Sequence, residues 1–235
     1  MTIETAMPDL VYQGRPAQRA DSRQRRKAIL EATLRLIVRE GIRGIRHRAV
    51  AREASVPLAA TTYYFKDLND LISDAFTYFV EQGLEHTRRL REDSFAAARG
   101  LTEEERNSDA GRKLLTQQLT RFILSHVRSQ AGNRDFRLIE LAFRNEALRN
   151  EQLTRAIRMA QQAAESMIRE FFELLGLADS QAAAQITHGT ILHLEYQILC
   201  GAVAIDSPLL ERTVTMMIRG LIPSTTGAHQ PLIEA

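Results

Sequence analysis

Apolar residues recur along this chain at the spacing of helices, and nowhere does a stretch alternate with the two-residue period of a strand. Between residues 23 and 40, Ile29, Thr33, Leu36 and Ile37 fall at i, i+4, i+7 and i+8 and make one apolar stripe, with Gly41 as its stop and Gly44 marking a second turn. Residues 46–54 place Val50, Ala51 and Ala54 on a narrow apolar face under a basic one. Ser55-Val56-Pro57 breaks that pattern, because Pro57 removes a donor and pushes Val56 out of the helical region. Residues 58–64 then predict a helix of about two turns whose polar side is Thr and Tyr rather than Lys and Glu. Phe65 is an apolar plug, and Asp67 with Asp70 forms an N-cap pattern for the next helix.

The rest reads as a succession of helices. Residues 67–98 contain no Pro and one Gly, and Leu71, Ala75, Phe76, Phe79 and Val80 line one face. Residues 101–110 are polar and predict a loop or short surface turn. Leu115, Leu119, Phe122, Ile123 and His126 share the face of a helix ending near Gly132, and residues 136–149 carry Leu138, Leu141, Ala142 and Phe143. Asn150 opens a turn before a long amphipathic run to Gly176, and Asp179 or Ser180 caps a helix that continues to the neighbourhood of Ala204. Ser207-Pro208 starts the last one, with Pro at the first helical position. The fold class is all-α.

Charge changes the picture more than composition does. The net charge of the 235 residues is only +2, but residues 15–66 hold 13 Lys/Arg against 4 Asp/Glu, and everything from Asp67 onward is net acidic. A basic head on an acidic body is what a chain needs if the head alone meets nucleic acid. Four segments follow: residues 1–21 as a disordered basic arm, 22–66 as a helical head, 67–223 as a helical body, and 224–235 as a disordered tail. Arg15, Arg19 and Arg23 are placed to follow a minor groove. No run of about 18 apolar residues occurs and the N-terminus lacks a signal pattern, so a cytoplasmic protein without a membrane partner is expected.

Two short helices across a tight turn, flanked by arginines, describe a helix-turn-helix DNA reader. AREASV at residues 51–56, YYF at 63–65, then an acidic cap and Leu71 resemble the N-terminal domain of the TetR (tetracycline repressor) family of bacterial transcription regulators. The motif resemblance covers residues 25–79; the rest is similar in length and helical character. Family members often carry Thr or Ser, Gly, Ser and Lys where this chain has Arg46, Ser55, Pro57 and Leu68. Lys66 offers a replacement for the missing phosphate-binding Lys.

The resemblance implies an N-terminal three-helix helix-turn-helix domain and a C-terminal helical bundle for ligand binding and dimerisation. It implies that Leu58, Ala59, Ala60, Thr61, Thr62 and Tyr63 meet double-stranded DNA, with Arg46, His47, Arg48 and Lys66 on the backbone and Phe65 in the core. Tyr64 stays open between core packing and DNA. An effector pocket would draw on Phe79, Phe122, His126, Phe143, Phe172 and His193, and two copies would pair through the last two helices. That is the pattern of a homodimeric repressor released from a near-palindromic operator by a small hydrophobic effector. A protein of the same fold governed by a protein partner, or acting as an activator or architectural factor, is the second reading. An all-α enzyme or scaffold is the third.

Reactive groups add little. His188 and His193 with Glu195 are spaced by five and two residues, which does not bring all three onto one helix face as a metal site requires. Cys200, beside Leu199 and Gly201, reads as a small buried apolar residue without a cationic neighbour. There is no Gly-rich phosphate loop, no G-x-S-x-G and no paired-carboxylate motif, hence no expected cofactor, metal or catalytic residue.

Overall fold

The computed structural model describes residues 11–222, and all regular structure among them is helical. The helices are α1 (Ala20–Glu40), α2 (His47–Glu53), α3 (Leu58–Tyr64), α4 (Leu68–Arg99), α5 (Glu103–Asn107), α6 (Asp109–Gly132), α7 (Arg134–Ala147), α8 (Glu151–Leu174), α9 (Ser180–Leu199) and α10 (Pro208–Leu221), with a 3-10 turn at Ile42–Gly44. Residues 1–10 of the expected arm and the expected tail at 224–235 lie outside the described residues. The described part divides into two compact units. One runs to His86 and adds Asp135–Gln162; the other comprises Thr87–Arg134 and the residues from Ala163 on.

In the first unit, α1 is the hub. Its stripe of Ile29, Leu30, Leu36 and Ile37 is buried, and α1 ends where Gly41 turns to a φ of 71° and donates its N–H to Ile37 O. Glu53 of α2 accepts from both Arg35 (2.8 Å) and Arg39 (2.9 Å) of α1. The tyrosine left open falls in the core: Tyr64 is buried and its hydroxyl lies 2.8 Å from Ser22 Oγ on α1. Asp67 caps α4 by accepting from Asp70 N–H at 2.9 Å, as its spacing predicted. Further along α4, Phe76 and Phe79 stack on Phe143 and Phe136 of α7, each at 4.4 Å between centroids.

The second unit buries Leu115, Ile123, Leu124 and Val127 of α6 against Phe171 and Phe172 of α8, Ile191 and Leu194 of α9, and Leu210, Val214 and Ile218 of α10. The stretch expected as a loop at 101–110 contains α5. Thr102 and Glu105 form a reciprocal capping box, with Glu105 N–H donating to Thr102 Oγ1 (3.2 Å) and Thr102 N–H to Glu105 Oε2 (2.7 Å). Cys200 is corrected too: it is exposed at the end of α9.

Residues 11–19 are not a free arm. Gln13, Gly14 and Arg15 bind the rest of the first unit through their backbone N–H groups, and α1 begins three residues before its expected start.

Candidate nucleic-acid interface

The turn between α2 and α3 is built from backbone bonds. Val56 N–H reaches back to Ala51 O (3.0 Å) and Ser55 N–H to Arg52 O (3.2 Å), the paired bonds of a Schellman motif. That motif needs a left-handed residue, and Ser55 supplies it with a φ of 54° at a cost of about 1 kcal/mol that Gly would not incur. Pro57 then leads into α3, and neither Pro57 nor Arg46 provides a side-chain cap.

The short α3 divides cleanly into two faces. Tyr64 and Phe65 turn inward, whereas Leu58, Ala59, Thr62 and Tyr63 are exposed and Ala60 is half-buried. Thr61 departs from the expected DNA-facing set: it is fully buried, and its hydroxyl donates to Leu58 O at 2.8 Å, so it closes the first turn of α3. Tyr63 is 56% exposed, large for an aromatic ring, and packs edge-on against Tyr64 at 5.0 Å.

The same unit exposes many cations. Arg43, Arg46, Arg48, Arg52 and Lys66 are exposed, as are Arg15, Arg19, Arg23 and Arg25. Arg46 is partly committed, because its guanidinium donates to Arg43 O (2.8 Å) and Ile45 O (2.7 Å). Arg35 and Arg39 are tied to Glu53 and belong to the framework.

His47 opens α2 and is half-buried. Burial holds its pKa below the ordinary 6.5, with the Asp67 charge pulling the other way. A depressed histidine favours the neutral form in the fold, so its contribution to stability is present above 6.5 and is lost as pH falls through that range. Phosphate beside the ring has the opposite effect, since it favours the imidazolium. For a head that binds DNA, affinity should therefore rise on acidification, by up to about tenfold for each unit by which the phosphates lift the pKa. Affinity titrations of the wild type and His47→Gln between neutral and mildly acidic pH check this: the histidine-dependent part must vanish in the variant.

No family model matches the chain. The HTH-type transcriptional regulator PksA of Bacillus subtilis (strain 168) is 37% identical over 62 residues, a match spanning 26% of this chain and only 30% of PksA. Solved structures resemble far more of it. A member of the TetR family from Streptomyces coelicolor superposes with a TM-score of 0.56 at 24% identity, over 85% of this chain and 99% of that one. A transcriptional regulator from Rhodococcus gives 0.61 at 16% identity, over 83% and 95% of the two chains. The multidrug binding protein EbrR, complexed with imidazole, gives 0.56 at 23% identity, over 86% and 98%. The chain has the TetR-family fold.

Within that TetR fold the expected effector residues are distributed over both units. Phe79 and Phe143 belong to the aromatic core of the first. Phe172 is core of the second, with Phe122 packed half-buried against it. His126 of α6 has its Nε2 3.7 Å from Oε1 of the buried Glu195 of α9. His188 of α9 meets Glu165 of α8 at 3.4 Å. His193 is exposed, which removes it from an interior lining. Among the described residues no cluster of three or more His, Cys, Asp or Glu is placed to hold a metal ion, and no helix is long and apolar enough to cross a membrane.

Proposed function

We propose that this chain is a sequence-specific DNA-binding transcription regulator that works as a homodimer. The observation that carries the reading is the exposed face of α3, with Thr62 and Tyr63 on a helix whose other side is locked by Thr61, Tyr64 and Phe65, in a head rich in exposed arginines of which Arg15 lies over the Tyr63 ring. A helix held this firmly presents its hydroxyls at fixed positions for base edges, while the cations supply sequence-independent attraction to phosphate. Leu58, Ala59 and Ala60 are slim enough to let α3 lie close in a major groove.

Pairing of two copies is supported by the last two helices. Ile186, Gly189, His193 and Tyr196 of α9 and its C-cap Cys200 are all exposed at alternating spacings of three and four, the repeat of one helix stripe. On α10, Leu209 and Met216 are exposed one heptad apart, Met216 to 80%. Of the apolar residues along these last two helices, Ile191, Leu194, Ile218 and Ile222 are buried in the unit's own core, whereas Met216 is left outside it. A two-fold dimer would set two copies of α3 about 34–36 Å apart, one turn of the duplex.

Regulation by a small hydrophobic effector acting on the second unit is the finer part of the proposal, with repression relieved on binding. Coupling of that kind is reciprocal, typically ~1–3 kcal/mol, so operator DNA must weaken effector binding equally. Selection of bound fragments from a random duplex library tests the reader directly. The expected product is an inverted repeat whose half-sites are centred one helical turn apart; recovery of DNA without any shared sequence would overturn the reading.

A further inference from the structure

Residues 12–15 cross the first unit as a strap whose attachment is specific. Gln13 N–H donates to Asp74 Oδ1 at 2.6 Å and Gly14 N–H to Asp74 Oδ2 at 2.9 Å. Asp74 is fully buried on α4 and also pairs with Arg26 of α1, at 2.5 Å. Arg15 N–H donates to the carbonyl of Tyr64, the last residue of α3, at 2.8 Å. Tyr12 reaches Glu81 of α4 with its hydroxyl, and the Arg26 guanidinium lies 4.4 Å over its ring.

Gly14 is required by space. A Cβ there would stand 2.8 Å from each of Asp74 Oδ2, Phe65 Cδ1 and Tyr64 O, so no larger residue passes between the Asp74 carboxylate and the end of α3. The consequence appears one residue later. Arg15 is exposed, and its guanidinium lies 4.5 Å over the ring of Tyr63, the exposed aromatic of α3. A strap serving only to cover Phe65 would not need to end on α3 itself, nor to seat a cation on the ring that faces outward.

We propose that the strap is a built part of the DNA-reading surface, in which Asp74 and Gly14 seat Arg15 on Tyr63 so that the two side chains meet the duplex as one unit. This rests on the proposed DNA-reading function; it fixes how Arg15, already expected to meet DNA, is held, and adds a positioning residue, Asp74, which acts through the strap. An arginine already held in place loses less conformational freedom on binding than one on a loose arm. Its stacking on Tyr63 leaves the guanidinium edge open to a phosphate or a base.

The experiment uses the full chain and the operator duplex that the wild type selects, with affinity measured across a salt series for the wild type, Arg15→Ala, Gly14→Ala and the double variant. Arg15→Ala should lower affinity at least ~10-fold and reduce the salt slope by about one per head. Gly14→Ala, which keeps Arg15 but cannot seat it, should lose a similar factor, and the double variant should bind no more weakly than either single one. Gln13→Pro deletes one donor to Asp74 without touching the space at Gly14 and should move in the same direction by a smaller factor. Binding by Gly14→Ala and Gln13→Pro within twofold of wild type would overturn the proposal while leaving the DNA reader intact. So would a double variant whose losses simply multiply. Failure of the wild type to select any operator would overturn the reader, and the strap's role with it.

Discussion

Replacing Asp74 with alanine should cost about 3–5 kcal/mol of unfolding free energy, the range for removing one partner of a buried ion pair. Asp74 has no exposed side-chain surface and its partner Arg26 has 13%. The mostly buried guanidinium would be left without its counter-charge and with little access to water. Burial pushes the Asp74 carboxyl up, against the downward pull of the Gln13 and Gly14 N–H groups and of Arg26, so the carboxylate is already held at some expense. The two strap N–H donors would also be orphaned, but the strap can swing away and bond water, so their loss does not add in full. Asp74→Asn keeps the shape and one acceptor and should cost less. Chemical denaturation of the two variants beside wild type checks both values; a loss under 1 kcal/mol for Asp74→Ala would mean that Arg26 finds another partner.

Phe65→Ala is the second large effect, again about 3–5 kcal/mol, from the lost transfer of a whole ring and the cavity left behind. Phe65 has no exposed surface and lies between Tyr64, at 6.3 Å ring to ring, and the Arg26 guanidinium, 5.5 Å over its face. It is also one of the three groups against which Gly14 is packed. The seven residues of α3 are far below the length at which a helix stands alone in water, so the position of α3 depends on this anchor. Operator affinity should therefore fall in Phe65→Ala even at a temperature where the rest of the chain remains folded. Denaturation midpoints with affinity measured well below them separate the two effects, and a variant that loses stability but binds like wild type would show that α3 is held by other contacts.

How much of this was legible in the sequence depended on whether a signal was local. The α1 stripe, Gly41, the Asp67 cap and the Pro208 start are short-range features, and each appears where its residues put it. On α7, by contrast, the buried face runs through Ile139, Phe143 and Ala147 and leaves the expected Leu141 exposed. The S/T-x-x-E box at Thr102–Glu105 was equally local, and reading it would have turned the expected loop into α5. Other differences depend on distant neighbours. Thr61 reads like Thr62 in sequence, yet one residue of helix phase, about 100°, puts it in the core. Asp74 reads as one more polar position on a long helix; only the approach of Arg26 and the 11–15 segment makes it an anchor. His193 and Cys200 lie among apolar neighbours in sequence, but share the exposed stripe of α9 with Ile186 and Tyr196. Phe79 and Phe143 fill the core of one unit while Phe172 fills that of the other, a division that apolar periodicity alone does not carry.

The central claim, that the outward face of α3 reads DNA sequence, is tested most directly by running the random-library selection in parallel with wild type and a Thr62→Ala/Tyr63→Ala variant at near-physiological salt. Both changes lie at exposed positions, so folding should be unaffected. The account predicts that wild type enriches an inverted repeat and that the variant retains DNA without enriching it. If both recover the same pool with no shared sequence, and retention simply fades as salt rises, the basic head is a phosphate binder and α3 is not a reader.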